Sequence, residues 1–368
     1  MAIKVMTVFG TRPETIKMAP LVEELKSRPE IETIVCVTAQ HRQMLDQVLH
    51  AFRIVPDYDL DIMQQGQTLA DITSRVLTGL QEVIQKEKPD IVLVHGDTTT
   101  TFAGALAAYY QQAAIGHVEA GLRTYHKYSP FPEEMNRQMV GVMADLHFAP
   151  TEESRQNLLR EGKAEETIIV TGNTAIDALS TTVRPDYTSE LLDWAADSRL
   201  IVLTAHRREN LGEPMYHMFR AIKRAIDEHG DVKMVYPVHL NPLVREAAQT
   251  VFGDDPRIRL VEPMEVVDFH NLLSRSYLIL TDSGGIQEEA PSLGRPVVVL
   301  RDTTERPEGI AAGTLKLAGT DEHNIYKIIE ELLTDQAVYD KMSHASNPYG
   351  DGLASKRIAD AILKRFGN

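Results

Sequence analysis

Charged residues are concentrated in one segment of the chain, GHVEAGLRTYHKYSPFPEEMNRQ at residues 116–138. Its charged side chains include Glu119, Arg123, Glu133, Glu134 and Arg137. A second segment, VHGDTTTT, places His95 and Asp97 directly after an apolar run. Carboxylates and histidines are the groups most often used for proton transfer in catalysis, and they are also common metal ligands. These two segments are therefore the first candidates for a reactive site.

Alternatives to proton transfer stay open for these acids. His95 and Asp97 are separated by one residue, so both would point to the same side of a strand and would suit a divalent metal. His117 and Glu119 have the same spacing, but no further acid cluster completes a metal centre, which makes this the weaker interpretation. Asp97 would otherwise cap the helix predicted for TTTTFAGALAAYY. Glu133 would favour the positive end of a helix.

Basic residues follow the first apolar run of the chain, in the segment FGTRPETIK. Gly10 permits a tight turn and Pro13 suits the first position of a helix. Arg12 and Lys17 would then face an anion near the helix N-terminus, unless they are simply solvated charges after an ordinary turn. The segment matches neither the phosphate-binding loop of ATPases nor the glycine fingerprint of dinucleotide-binding proteins. ATP hydrolysis and NAD-dependent redox chemistry therefore have no support from a motif.

The segment LTDSGGIQEEAPSLG predicts a stronger anion site. The run from Ser283 to Gly285 follows a predicted strand and begins a helix, where glycine N–H groups can approach phosphate and the helix dipole favours negative charge. Glu289 would accept hydrogen bonds from ribose hydroxyls, and Arg306, in RDTTERPEG, would add a cation. Together the two loops predict a site for a nucleotide diphosphate. In the structural alternative, Asp282 or Ser283 only caps the helix and Arg306 forms a surface salt bridge.

Two further segments contribute histidines and arginines. TAHRREN contains His206, Arg207 and Arg208, and YPVHLNP contains His239. A single histidine is more often structural, but His206 stands beside paired arginines and is therefore the better candidate ligand.

These residues follow short apolar runs that alternate with amphipathic helical patterns. Such alternation predicts βαβ units and parallel sheets, in which ligands bind beyond the carboxyl ends of the strands. A polar interval near residues 180–198 separates two series of these runs. We therefore predict two doubly wound α/β domains, residues 1–182 with the acid/base groups and residues 183–368 with the nucleotide site. The last helix would pack back across either domain.

The composition limits the class of protein. The chain has 368 residues, 43% of them hydrophobic and 25% charged, which is typical of globular domains. A formal net charge of −15 disfavours general binding to nucleic acid or to anionic membrane. The one cysteine, Cys36, lies in an apolar run and is expected to be a buried structural thiol. No basic leader and no long apolar segment is visible, so we expect a cytoplasmic protein.

In this set of motifs, the chain resembles the non-hydrolysing UDP-N-acetylglucosamine 2-epimerases. The resemblance covers essentially the whole chain, and the segments that carry it are FGTRPE, HGDTTTT, HVEAGLRT, PFPEEMNR, TAHRREN, TDSGGIQEEAPSLG and RDTTERPEG. It implies a glycosyltransferase-B-like fold, with two Rossmann-like domains that face a central cleft. It also implies a homodimer with no metal and no other cofactor.

The implied reaction is the reversible conversion of UDP-N-acetylglucosamine to UDP-N-acetylmannosamine, for envelope polysaccharides. UDP would be eliminated to leave 2-acetamidoglucal, and would then add back to C1. The resemblance assigns catalysis to Asp97, Glu119, Glu133 and His206. It assigns substrate binding to Arg12, Lys17, Asp97, Glu119, His206, Met264, Phe269, Ser283, Gly284, Gly285, Glu289 and Arg306. Phe269 and the main chain around Met264 would lie near uracil, and the sequence leaves open which acid removes the C2 proton.

Some bacterial members bind a second UDP-N-acetylglucosamine as an activator. The residues that would form this allosteric site are Gln40, His41, Gln43, Glu133, Arg207 and His239. Gly66 stands where some relatives are expected to have a basic residue, which weakens the prediction of activation. A glycosyltransferase of the same fold, a metal-dependent hydrolase and a non-catalytic UDP-sugar sensor are the competing functions. The acids of the first domain favour epimerisation over glycosyl transfer.

Overall fold

The computed structural model describes residues 2–40, 42–304 and 306–367. It divides the chain into two compact units. Unit 1 consists of Met1–Thr181 and Tyr349–Asn368, and unit 2 consists of Thr182–Pro348. The C-terminal segment therefore lies in unit 1.

Unit 1 is built on a seven-stranded parallel sheet. Its strands are β1 (Ile3–Phe9), β2 (Ile31–Val37), β3 (Tyr58–Asp59), β4 (Ile91–His95), β5 (Ala114–Val118), β6 (Leu146–Ala149) and β7 (Ile168–Val170). Its helices are α1 (Arg12–Lys26), α2 (Arg42–Ala51), α3 (Leu69–Glu87), α4 (Thr99–Tyr110), α5 (Glu133–Met143), α6 (Glu152–Arg160), α7 (Thr174–Thr182) and the C-terminal α16 (Ala354–Phe366). The strand order is β3-β2-β1-β4-β5-β6-β7.

Unit 2 is built on a six-stranded parallel sheet. Its strands are β8 (Arg199–Thr204), β9 (Val232–Pro237), β10 (Ile258–Val261), β11 (Leu278–Thr281), β12 (Val297–Val299) and β13 (Leu315–Leu317). Its helices are α8 (Glu190–Ala195), α9 (Glu213–Glu228), α10 (Pro242–Phe252), α11 (Val266–Ser274), α12 (Gly284–Ser292), α13 (Pro307–Ala312), α14 (Glu322–Thr334) and α15 (Gln336–Ser343). The strand order is β10-β9-β8-β11-β12-β13.

Apolar residues explain why these segments form central strands. β4 reads IVLVH and is buried along its whole length, as expected for a parallel strand with helices on both faces of the sheet. β8 and β11 are similarly buried, and apolar residues of α9 and α14 pack beside their sheet. Cys36 is also fully buried, and burial raises the pKa of its thiol to about 12. The predicted α/β fold class and the structural role of Cys36 are therefore confirmed.

The C-terminal helix is held in unit 1 by a buried carboxylate. Asp177 in α7 accepts hydrogen bonds from the backbone N–H groups of Ala354 and Ser355, at 3.2 and 2.7 Å. These N–H groups belong to the first turn of α16 and have no partner within the helix. Arg28, just after α1, adds an ion pair to Asp360 at 3.1 Å. The sequence analysis left open which unit this helix joins.

Candidate active site

Each sheet has a point at which its strand order reverses direction. In unit 1 this point lies between β1 and β4, and in unit 2 it lies between β8 and β11. The loops after these strands diverge there, which leaves a crevice at the carboxyl ends of the strands. Asp97, His206 and Ser283 stand in these loops, and the other selected residues stand in the helices that follow them or after other strands. The candidate site is therefore described for each unit separately.

Asp97 follows β4 in unit 1 and is paired with a cation. Its Oδ2 lies 2.5 Å from a guanidinium nitrogen of Arg137, and the Asn136 side chain donates to the Asp97 carbonyl at 2.9 Å. Helix α4 is capped by Thr98, whose hydroxyl accepts the Thr101 N–H at 3.1 Å. The alternative prediction that Asp97 caps this helix is therefore wrong, because the neighbouring threonine occupies that position.

Glu119 follows β5, and its carboxylate contacts side chains from several other elements. Its Oε2 forms an ion pair with Lys17 of α1 and accepts a hydrogen bond from the Asn173 side chain at 2.8 Å. His95 Nε2 lies 3.9 Å from the same oxygen. The Glu119 backbone has a φ of +63°, which is uncommon for a residue other than glycine and is found preferentially at functional sites. Lys17 therefore contacts an acid in this structure, whereas the sequence analysis placed it beside a phosphate.

The histidines of β4 and β5 favour the neutral state. Burial lowers the pKa of His95 to about 4 and that of His117 to about 3. His117 Nε2 lies 2.7 Å from the Gly96 carbonyl, so it must be the protonated nitrogen of the neutral ring. Through this bond His117 joins the end of β5 to the loop that contains Asp97. Within the part of the chain that the structure describes, no group of three or more acids, histidines and cysteines could hold a metal ion.

Glu14 is a buried acid that the sequence analysis overlooked. It is 2% exposed, and its Oε2 accepts the backbone N–H groups of Gly10 and Thr11 at 3.1 and 2.8 Å. Its Oε1 accepts the Thr98 hydroxyl at 2.6 Å. Burial raises the pKa of this carboxyl, and these hydrogen bonds oppose that shift. Glu14 thus connects the loop of Arg12 with the loop of Asp97, and its place at the third position of a helix after Thr11 was the available signal.

The segment PFPEE positions two glutamates with different environments. Glu133 is half-buried at the first position of α5, where an acid is favourable. Glu134 is fully buried and accepts the N–H groups of Thr124 and Tyr125, each at 3.0 Å. Burial would raise the pKa of Glu134, but these bonds outweigh that effect and lower it. Glu134 therefore has a structural role, in which it holds the loop before α5.

Arg123 does not contact the candidate acids. Its guanidinium forms a two-point ion pair with Glu161, at the end of α6, with distances of 2.7 and 2.9 Å. The carboxylate beside Arg123 is therefore that of Glu161. The arginine that serves a candidate acid is Arg137.

In unit 2, Asp282 follows β11 and organises the loop after β8. Its Oδ2 accepts the backbone N–H groups of His206 and Arg207, both at 2.8 Å. Ser283 occupies the N-cap position of α12, but its side chain makes no cap hydrogen bond. The structural alternative is therefore right about the position of Ser283 and wrong about a side-chain cap.

The guanidinium of Arg306 lies against the start of α12. A Cβ added to Gly284 would meet it at 2.6 Å, so a larger residue at this position would displace the arginine. Arg306 Nε also donates to Glu288 at 2.5 Å, and these side chains are 12% and 2% exposed. The alternative interpretation of Arg306 predicted a salt bridge at the surface, but this ion pair is largely buried. Its acidic partner, Glu288, was not selected in the sequence analysis. A cation and the N-terminus of α12 therefore stand together, an arrangement that favours phosphate.

The residues predicted near the nucleoside lie around α11. Glu289 Oε2 lies 3.4 Å from Nε2 of His270, whose Nδ1 lies 2.8 Å from the Thr182 hydroxyl. Met264 and Phe269 are partly buried and pack against the core of unit 2. Both side chains thus keep an exposed part, as a ligand contact would require.

The residues predicted for the allosteric site occur in both units. In unit 1, Gln40 accepts the Thr100 hydroxyl at 3.0 Å, Gly66 has a φ of +71°, and Gln43 belongs to α2. His41 lies outside the described residues. In unit 2, the rings of His239 and His206 stack with their centroids 5.4 Å apart.

The two doubly wound units define a class of protein, an α/β enzyme with a glycosyltransferase-B-like fold. A family model described as UDP-N-acetylglucosamine 2-epimerase matches residues 23–363. UDP-N-acetylglucosamine 2-epimerase of Bacillus subtilis is 67% identical over 365 residues, which are 99% of this chain and 96% of the relative. The chain therefore belongs to the UDP-N-acetylglucosamine 2-epimerase family.

Solved structures agree with this assignment. Staphylococcus aureus MnaA, in a co-structure with UDP, is 59% identical with a TM-score of 0.92, and the match covers 99% of this chain and 96% of that one. UDP-N-acetylglucosamine 2-epimerase of Neisseria meningitidis, bound to UDP-N-acetylglucosamine, is 50% identical with a TM-score of 0.90, and the match covers 98% of this chain and 100% of that one.

None of the described helices is long and apolar enough to cross a bilayer.

Proposed function

We propose that this protein inverts C2 of UDP-N-acetylglucosamine to give UDP-N-acetylmannosamine, reversibly. The relatives support this substrate, because the Neisseria meningitidis enzyme was solved with UDP-N-acetylglucosamine and the Staphylococcus aureus protein with UDP. The observation that carries the proposal is the pair of separately held carboxylates at the reversal point of unit 1. Asp97 is held by Arg137, and Glu119 is held by Lys17 and Asn173.

The chemistry of the substrate explains why both acids and cations are required. No carbonyl stands next to C2 in the sugar ring, so a carboxylate with a pKa near 4 cannot remove this hydrogen unaided. In our proposal UDP leaves C1 as C2 loses its proton, and 2-acetamidoglucal remains bound. UDP then adds back to C1 while C2 accepts a proton on the opposite face. Proton transfer at two faces requires two acid/base groups, which Asp97, Glu119 and Glu133 would supply.

Unit 2 would stabilise the departing diphosphate. The first residues of α12, Gly284 and Gly285, would offer backbone N–H groups, and Arg306 lies beside them. The Ser283 N–H donates instead to the Thr281 hydroxyl at 2.9 Å. His206 is 42% exposed at its side chain and would add a further donor. Each charge-assisted hydrogen bond contributes about 1.5 to 3 kcal/mol, and about 1.4 kcal/mol changes a rate tenfold. In the same proposal Arg12 contributes a charge from unit 1, Glu289 binds the ribose, and Met264 and Phe269 contact uracil.

An NMR experiment in heavy water tests this function. The protein is incubated with UDP-N-acetylglucosamine, and the C2 proton and the N-acetylmannosamine signals are followed. We expect deuterium at C2 and a mixture of both epimers. A C2 position that keeps its proton would contradict epimerisation and would favour a glycosyltransferase or a UDP-sugar sensor. Addition of a chelator should leave the rate unchanged.

We also propose an activating second site for UDP-N-acetylglucosamine, which would include Gln40, Gln43, Glu133, Arg207 and His239. A sigmoidal rate curve in the reverse direction, relieved by a trace of UDP-N-acetylglucosamine, would support it, and a hyperbolic curve would contradict it. A cytoplasmic homodimer that supplies envelope polysaccharide synthesis belongs to the same proposal.

A further inference from the structure

We propose that Asp282 is a positioning residue for His206, which fixes the orientation and the tautomer of its imidazole ring. In this arrangement the His206 Nδ1–H points at Asp282, and Nε2 is the nitrogen that faces a bound diphosphate. The placement of the ring follows from the contacts below. Its use in the reaction rests on the proposed function.

The first observation concerns the backbone of the loop. Asp282 Oδ2 accepts the N–H groups of two consecutive residues, His206 and Arg207, and lies 3.2 Å from the Asn210 side-chain nitrogen. One oxygen thus fixes the loop after β8 relative to the loop after β11. The loop after β8 contains His206, and the loop after β11 leads into α12. Asp282 therefore fixes the position of His206 relative to the predicted phosphate site.

The second observation concerns the imidazole ring. His206 Nδ1 lies 3.3 Å from Asp282 Oδ1, a buried oxygen that accepts no hydrogen bond in this structure. An ionised carboxylate can only accept hydrogen bonds, so a small rotation of the ring that completes this contact requires the proton on Nδ1. In a neutral imidazole the other nitrogen, Nε2, is then an acceptor, and it becomes a donor when the ring is protonated. His239 stacks on the ring at an interplanar angle of 18° and limits its rotation.

The third observation concerns the charge of Asp282. Its side chain is fully buried, and the imidazole of His206 lies beside its Oδ1. Burial would raise the pKa of Asp282, but the contacts to His206 and to the two backbone N–H groups outweigh it and lower the pKa. The carboxylate of Asp282 contacts the loop after β8 at the backbone of His206 and Arg207, at the Asn210 side chain and at the His206 ring. Two of these contacts involve His206.

The tautomer can be measured directly with the wild-type protein. We expect the ¹⁵N spectrum of histidine-labelled protein, at a pH where the ring is neutral, to show His206 protonated on Nδ1. The His206→Gln variant assigns the signal. Protonation on Nε2 in the wild-type protein would overturn the proposal without any reference to activity.

The Asp282→Asn variant tests the role of the carboxylate. The asparagine oxygen can still accept the N–H groups of His206 and Arg207, so its NH₂ group would face Nδ1 and would favour the opposite tautomer. We expect the His206 signal to change to the Nε2-protonated form. We expect the affinity for UDP, measured by calorimetry, to fall about tenfold to a hundredfold, the range for loss of a charge-assisted contact.

Asp255→Asn is a matched control in unit 2. The Asp255 side chain is 9% exposed and accepts the Arg257 N–H at 2.9 Å, but none of its contacts is a histidine. We expect this variant to keep the His206 tautomer and the UDP affinity, even if it unfolds at lower temperature. Equal effects of Asp255→Asn and Asp282→Asn would reduce Asp282 to a structural role. Wild-type protein that binds UDP with the expected tautomer but leaves C2 unchanged would contradict the proposed function and not this inference.

Discussion

At the scale of single residues, the candidate acids of unit 1 differ in how they are held. Asp97 has one guanidinium partner, whereas Glu119 has an ammonium group and an amide. Glu133 stands instead at the first position of α5 and is half-buried. The three acids therefore differ in the groups that surround them.

We expect the variants Asp97→Asn, Glu119→Gln and Glu133→Gln each to lower turnover at least about a hundredfold, because general acid/base catalysis contributes about that much. UDP affinity should fall only modestly, since none of these three acids is among the proposed diphosphate contacts. Steady-state kinetics and calorimetry with UDP measure the two effects. Glu30→Gln, an exposed glutamate, should match the wild type. Normal turnover in one of the three variants would remove that residue from the acid/base role.

At the scale of elements, three neighbouring strands of unit 1 bury histidines. His95, His117 and His147 lie on β4, β5 and β6, and His117 is directly paired with His147 across the sheet. Burial lowers the pKa of His147 to about 4, as it does for the other two. At these three histidines, the unfolded chain therefore binds more protons than the folded chain between about pH 6.5 and pH 4. Their contribution to the free energy of unfolding decreases as the pH falls through this range.

We expect His147→Gln to weaken this acid sensitivity. Protonation of a group whose pKa falls from 6.5 to about 4 costs roughly 3 kcal/mol in the folded state. The wild-type free energy of unfolding should therefore decrease steeply from pH 6.5 to pH 4, and the variant should show a slope smaller by about one proton. Urea unfolding at several pH values measures both slopes. Identical slopes would show that His147 is not kept neutral by the fold.

At the scale of the whole molecule, the chain leaves unit 1 after Thr181 and returns to it at Tyr349. The returning segment is held by Asp177, which satisfies two N–H groups in the first turn of α16. Burial raises the pKa of Asp177, and the hydrogen bonds from Ser355 and Ala354 oppose this shift. The stability of unit 1 thus includes a contact between residues that are more than 170 positions apart in the sequence.

We expect Asp177→Ala to destabilise α16 and the helix α1 that packs against it. Loss of the carboxylate leaves two buried backbone donors unsatisfied, at a cost of about 1 to 3 kcal/mol each. Hydrogen exchange should show faster exchange in α16 and α1, and unchanged exchange in the sheet of unit 2. Exchange that rises equally in both units would contradict a contact confined to unit 1.

Much of the fold could be predicted from local patterns. Buried parallel strands such as β4 are short apolar runs, and each is followed by a helical pattern, so the sequence predicted two α/β domains. The candidate residues were found for the same reason, since they follow apolar runs and therefore stand at strand ends. The cap of α4 was predicted wrongly, because Asp97 and Thr98 are both good cap residues and sit side by side.

The sequence by itself determined the class of the fold, the family resemblance and the residue types at the ends of the strands, because these depend on neighbours along the chain. The tertiary structure decided the partners. Lys17 contacts Glu119, which is 102 residues away in the sequence, and the His206 backbone N–H donates to Asp282, which is 76 residues away. Such pairs form only when separate strands assemble side by side in one sheet. Local periodicity contains no information about which loops then meet, and this is why Glu14 and Asp282 became visible as organising residues only in the folded chain.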